Sequence, residues 1–124
     1  MKRVAVAVAA VAALALAPGA VNAAKVPSGK YKTRITSGFL KGNWTFDFFK
    51  TGRYKITGPY GHLFGHVAYK GTTVTFSKES EGTICPGPGT YRYRLTGRKL
   101  TFTLIKESCK VRPKVHVRTW TKAG

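Results

Sequence analysis

Few side chains in this 124-residue chain are equipped for proton-transfer or metal chemistry: four acids, three histidines and two cysteines. The acids are Asp47, Glu79, Glu81 and Glu107. General acid–base catalysis on two carboxylates requires a convergent pair. Glu79 and Glu81 share a face by spacing, but beside Lys78 they read as a solvated loop. Asp47 alternates away from the stripe containing Trp44 and reads as a surface ion-pair partner of a neighbouring Lys or Arg. No Gly-x-Ser-x-Gly, Cys/His pair or phosphate-cradling loop appears. His62 and His66 fall on one face of an expected strand, with His116 the sole candidate for a third ligand. They read as solvated histidines. The expectation is therefore a protein with no catalytic residues, no metal and no cofactor.

Cys85 and Cys109 allow one intrachain pairing. A metal pair or redox couple is the alternative, but there is no Cys-x-x-Cys spacing and no acidic or His cluster beside them. A structural disulfide is expected, stabilising the fold by about 3 kcal/mol in the chain-entropy view. The compartment agrees. Lys2 and Arg3 precede an apolar run from Val4 to Ala17, then Pro18-Gly19 and the small-residue site Val21-Asn22-Ala23. That order predicts a cleavable signal peptide over residues 1–23 and a secreted or extracytoplasmic domain over residues 24–124. The run is too short for a permanent span of about 20 apolar residues, so no transmembrane segment is expected after cleavage.

The charge is extreme: 22 Lys and Arg against 4 Asp and Glu, a formal +18. Such a surface attracts polyanions, whether anionic phospholipid, cell-wall polymer or nucleic acid.

From Lys25 onward, short runs rich in Thr, Tyr, Phe and Val are punctuated by glycines, and none keeps helical spacing beyond a turn. About eight strands are expected. They cover residues 29–36, 43–49, 53–57, 63–69, 73–77, 90–95, 99–106 and 114–122, with an irregular loop at 78–89 and a basic loop around Cys109 and Pro113. Their alternation is consistent. Trp44, Phe46 and Phe48 oppose Thr45 and Asp47; Tyr54 and Ile56 oppose Arg53 and Lys55. Tyr91, Tyr93 and Leu95 oppose Arg92 and Arg94; Leu100, Phe102 and Leu104 oppose Thr101 and Thr103; Val115 and Val117 oppose His116 and Arg118. Strands with one apolar face must close on themselves or stack. A small all-β antiparallel up-and-down barrel is expected, with a two-sheet sandwich as the alternative.

Gly42-Asn43-Trp44 at the start of this meander resembles the Gly-x-Trp signature of the lipocalin and wider calycin families. The resemblance implies a barrel closed at one end by Trp44, with Arg118 packed across its ring. Cys85, Gly89-Thr90-Tyr91-Arg92-Tyr93, Leu95, Gly97, Leu100-Thr101-Phe102, Cys109, Arg112 and Trp120 also resemble small exported bacterial lipocalin-like domains. The chain is shorter than a typical lipocalin and lacks the helix that usually follows the barrel, which argues against a roomy cavity.

Two surfaces then become candidate binding sites. The interior set Trp44, Phe46, Phe48, Tyr54, Tyr69, Tyr91, Tyr93 and Phe102, with Phe76, is either plain core or the lining of a site for a small apolar or amphipathic ligand. Inward tyrosines suggest a partly polar interior, because a buried hydroxyl needs a partner. The outer set Lys30, Lys32, Arg34, Arg53, Lys55, Arg92 and Arg94 is either a solubility device or a polyanion surface. Nucleic acid fits less well, since aromatics for base stacking do not interleave with the cations. The first expectation is a non-catalytic, monomeric carrier of a small lipophilic ligand. The others are adhesion to an anionic envelope surface, and inhibition of a secreted enzyme through the loop at Glu79 to Gly89.

Overall fold

The alternating runs from Gly29 to Glu107 form strands, and with a last strand from Thr119 they close into one antiparallel barrel. The computed structural model describes residues 25–79 and 85–123, so the expected signal peptide lies outside the described residues. The strands are β1 (Gly29–Ile35), β2 (Gly42–Phe48), β3 (Arg53–Gly58), β4 (Gly61–Lys70), β5 (Thr73–Ser77), β6 (Gly89–Thr96), β7 (Lys99–Glu107) and β8 (Thr119–Lys122). Among the described residues one helical element, α1 (Val111–His116), sits between β7 and β8.

Neighbours in sequence are neighbours in the sheet, and β8 returns to pair with β1 through Thr121 opposite Lys32 and Lys122 opposite Tyr31. That last ladder makes the fold a barrel rather than a sandwich and leaves no open sheet edge. The up-and-down order sorts the connections between two ends. The hairpin end holds the turns after β2, β4 and β6, where Gly52, Gly71 and Gly97 have φ of 80°, 62° and 61°. The loop end holds the connections 36–41, 59–60, 78–88 and 108–118, all but 59–60 longer than the hairpin-end turns.

The inward residues fill the barrel with rings. Phe46, Phe76, Tyr91 and Trp120 are fully buried, and Phe48, Tyr54, Tyr93 and Phe102 nearly so. Phe46 stacks on Phe48 with centroids 4.6 Å apart and meets Trp120 edge-on at 5.0 Å. Edge-to-face and offset pairs of this kind add to the burial of the rings themselves. Tyr69 and Tyr93 meet edge-on at 5.6 Å toward the hairpin end, where the Tyr93 hydroxyl donates to the carbonyls of Lys25 or Gly71.

Three expectations need correction. The last strand does not begin at Lys114: residues 111–116 are helical, and β8 starts only at Thr119. Arg112, Val115 and His116 are the residues α1 buries, at i, i+3, i+4 spacing, so a helical stripe was hidden in an apparent alternation. Leu104 is 51% exposed and Val117 41%, so neither belongs to the enclosed interior. A register shift between Thr90 and Tyr91, whose partners are Lys106 and Leu104, leaves Ile105 as an extra residue near the end of β7.

Candidate functional site

The loop end is where the molecule concentrates its polar chemistry. Cys85 and Cys109 are joined in a disulfide with Cα atoms 5.3 Å apart, tying the β5–β6 connection to the β7–α1 loop. Below this bridge lies a buried ionic clasp. Arg112 Nη1 donates to both carboxylate oxygens of Glu107 at 2.9 and 2.7 Å, while Nη2 reaches Glu79 Oε1 at 2.5 Å. The same Nη2 also reaches the carbonyls of Gly87 at 2.9 Å and Cys85 at 3.3 Å. The three side chains are only 3%, 5% and 1% exposed for Arg112, Glu79 and Glu107. A planar fork with several donors suits two carboxylates and two carbonyls at once, which an ammonium would not.

The inward tyrosines complete the clasp from the barrel side. Tyr54 donates to Glu79 Oε2, and Tyr91 donates to Glu107 Oε1 at 2.5 Å. Burial, then the hydrogen-bonded carboxylate, pushes both phenols well above their ordinary value, so they stay protonated donors. Burial alone would lower the Arg112 guanidinium, but the hydrogen bond to Glu107 and the charge of Glu79 more than offset it. Gly89 makes room for the arrangement, since a Cβ there would strike the Glu107 carboxylate and Arg112. Glu79 is therefore a buried structural acid, not the solvated loop residue its neighbours suggest. Glu81 lies outside the described residues.

Next to the clasp, His116 projects from α1 into the ring cluster. Its imidazole lies 4.5 Å from the Phe76 centroid and 4.8 Å from that of Phe46, both edge-on. Neither ring nitrogen has a hydrogen-bond partner. Burial, and then the nearby Arg112 charge, holds this histidine well below its usual value, so it is neutral. It is far from joining His62 and His66, which are exposed on β4. Among the described residues no group of three His, Cys, Asp or Glu is placed to hold a metal ion.

The other predicted residues fall into place as follows. Trp44 is half-buried over Gly58, and its indole N–H donates to the Leu40 carbonyl at 2.8 Å. Arg118 does not pack across it; its Nε donates to the Lys114 carbonyl at 3.0 Å. The tryptophan buried most deeply is Trp120, whose N–H donates to the His116 carbonyl at 3.1 Å, and the buried arginine is Arg112. Phe46, Phe48, Tyr54, Tyr91, Tyr93 and Phe102 are packed on one another as core. Tyr69 is packed against that core with its buried hydroxyl unpartnered. Of the loop proposed for enzyme inhibition, Glu79 and the carbonyls of Cys85 and Gly87 are engaged by Arg112.

No family model, curated protein or solved structure matches this chain.

The outer set lies on the outside of the barrel. Lys30, Lys32, Arg34, Arg53, Arg92 and Arg94 are exposed, and Lys55 is half-buried with its Nζ 5.5 Å from the Phe64 centroid. Register places them among threonines: Lys99, Thr121, Lys32, Thr45, Thr57 and His62 form one row across β7, β8, β1, β2, β3 and β4. Arg94, Thr101 and Thr119 form another. Asp47 sits opposite Lys30 and Lys55 but closes no ion pair among the described residues, contrary to expectation.

The mouth at the loop end is apolar. A groove of about 580 Å³ is lined by Ile35, Phe39, Leu40, Leu104, Pro113 and Val117, with Lys114 and Arg118 on its edge. No sequence feature pointed to this groove or to the clasp. The nearest signal was the need of inward tyrosines for partners, together with acids close to both cysteines.

Proposed function

We propose that this protein is a non-catalytic, exported, lipocalin-like binding protein that adheres to anionic polymers or surfaces of the cell envelope through the outside of its barrel. One observation carries the reading: the outward strand positions of the described residues set many cations against a single acid, Asp47. Outward strand positions carry Lys and Arg among threonines, while Glu79 and Glu107 are withdrawn into the interior by Arg112. A soluble barrel needs charge, but mixed charge serves solubility better than one sign. A nearly pure cationic exterior instead raises the local concentration of polyanions and gains from counterion release. The interior rings favour this reading over a carrier with an internal ligand, because they are spent on contacts with one another.

Binding to inorganic polyphosphate, followed while salt is raised, tests the proposal. Affinity should fall steeply with salt, and Lys32→Glu with Arg34→Glu should weaken it further while leaving the circular dichroism spectrum unchanged. Affinity indifferent to salt would overturn the reading.

A further inference from the structure

The exposed apolar residues are not spread evenly. Phe39, Tyr60, Leu104, Ile105 and Val117 lie at the loop end, against Val26 and Phe49 at the hairpin end. Phe39 is 63% exposed and Tyr60 76%, and the Tyr60 hydroxyl donates to the Phe39 backbone carbonyl at 2.5 Å, so the loop after β3 is tied to the loop after β1. Phe39, Leu104 and Val117 share the mouth groove. A contiguous exposed apolar patch of this kind marks an interaction site.

The rim decides what occupies it. Lys41, Lys106, Lys110 and Lys114 are exposed around the tip, and Arg118 lines the groove. Glu79 and Glu107 are held inside by Arg112, and Asp47 sits at the far end of its strand, opposite Lys30. Two copies meeting tip to tip would press like charges together. An anionic bilayer, by contrast, offers acyl chains to the tip and phosphates to the rim, and long basic side chains can reach headgroups while their stems lie along apolar surface.

We infer that the barrel docks end-on on an anionic phospholipid leaflet. Phe39, Leu104 and Val117 enter the boundary between headgroups and acyl chains, and Lys41, Lys114 and Arg118 meet lipid phosphates. This rests on the polyanion-binding reading and names the surface and the orientation. Weak apolar insertion and a basic patch are each marginal alone, and together they give stable attachment.

The test uses the purified protein with phosphatidylglycerol/phosphatidylcholine vesicles, and with phosphatidylcholine vesicles as control. A Phe39→Trp variant should show a blue-shifted emission, beyond the Trp44 and Trp120 background, on anionic vesicles only. Brominated acyl chains should quench it. Phe39→Ser combined with Val117→Ser should weaken vesicle binding about tenfold or more, the loss expected for keeping such side chains out of an apolar phase. What binding remains should vanish in high salt. Both positions are exposed, so the variant should fold, and an unchanged disulfide and denaturation midpoint would verify this. The inference is overturned if the Phe39→Trp emission stays that of a water-exposed indole on bound protein. Removal of lipid from the vesicles, or dimerisation lost in the double-serine variant, would overturn it equally. Binding to polyphosphate without binding to anionic vesicles sinks this inference alone, whereas failure with both sinks the polyanion reading too.

Discussion

The two ends of the barrel are closed by different physics. At the hairpin end each connection is a tight turn whose glycine supplies a positive φ, and the order is local. Hydrogen bonds from Tyr93 to Lys25 or Gly71, from Arg98 to the Lys122 carbonyl and from Lys122 to the Ser28 carbonyl then cross between the turns and the chain ends. At the loop end three of the four connections are long, and distant residues hold this end: a disulfide over a sequence separation of 24, Arg112 reaching Glu79, and α1 pressing His116 into the rings. The difference teaches how the loop end is built. The loop that presents Phe39 is held by Tyr60 and by the Trp44 indole N–H donating to the Leu40 carbonyl. The clasp ties the segments around Cys85 and Cys109 and removes two negative charges from a cationic tip.

If the loop end is held by the clasp, Arg112→Met should be the most damaging change. It leaves Glu79 and Glu107 buried without a counter-ion, a loss of about 3–5 kcal/mol. Urea denaturation measures it, and Arg112→Lys should recover only part, having no fork to serve both acids. A loss under about 1 kcal/mol would break the contrast between the ends.

His116 gives the next effect. Folding holds its imidazole neutral, far below the usual histidine value. Below about pH 6.5 the unfolded chain therefore takes up a proton that the folded chain refuses. Stability should fall with decreasing pH by up to about 1.4 kcal/mol per unit. His116→Leu should abolish this slope between about pH 6.5 and pH 5, and, because both ring nitrogens lack partners, it should cost little stability at neutral pH. A slope that persists in the variant would move the acid sensitivity elsewhere.

The smallest effect belongs to the hairpin end. Gly97→Ala forces a side chain into φ 61°, a loss of about 1–2 kcal/mol. Binding to polyphosphate and to anionic vesicles should be unchanged, which thermal denaturation and a vesicle assay on the same variant will show. A binding defect there would mean that the two ends are coupled.

Much of the barrel was legible. Alternation located the strands from Gly29 to Glu107 within a residue or two, because an inward ring and an outward cation leave a period of two that burial reinforces. The turns at Gly52, Gly71 and Gly97 were readable because glycine announces a backbone conformation that side chains oppose. The helical segment Val111–His116 was not. Val115 and Val117 alternate with His116 and Arg118 as a strand would, and six residues are too short for periodicity to choose. Burial of Arg112 and His116 chose the helix. The clasp was equally invisible, since Glu79 and Arg112 are separated by |i−j|=33 and only the closed barrel brings them together.

The sequence by itself determined a basic, all-β meander with one face of rings and one of cations and threonines, and it named the only disulfide possible. Those properties follow from residue type and period, which are local. The tertiary structure alone decided that the sheet closes through β8 and β1, that the rings pack on themselves, that two of the four acids are sequestered, and that an apolar tip with a basic rim forms at one end. Each of these depends on residues far apart in the chain meeting in a low-dielectric interior. There a carboxylate is tolerated only beside its partner, and the partner's place is set by the fold.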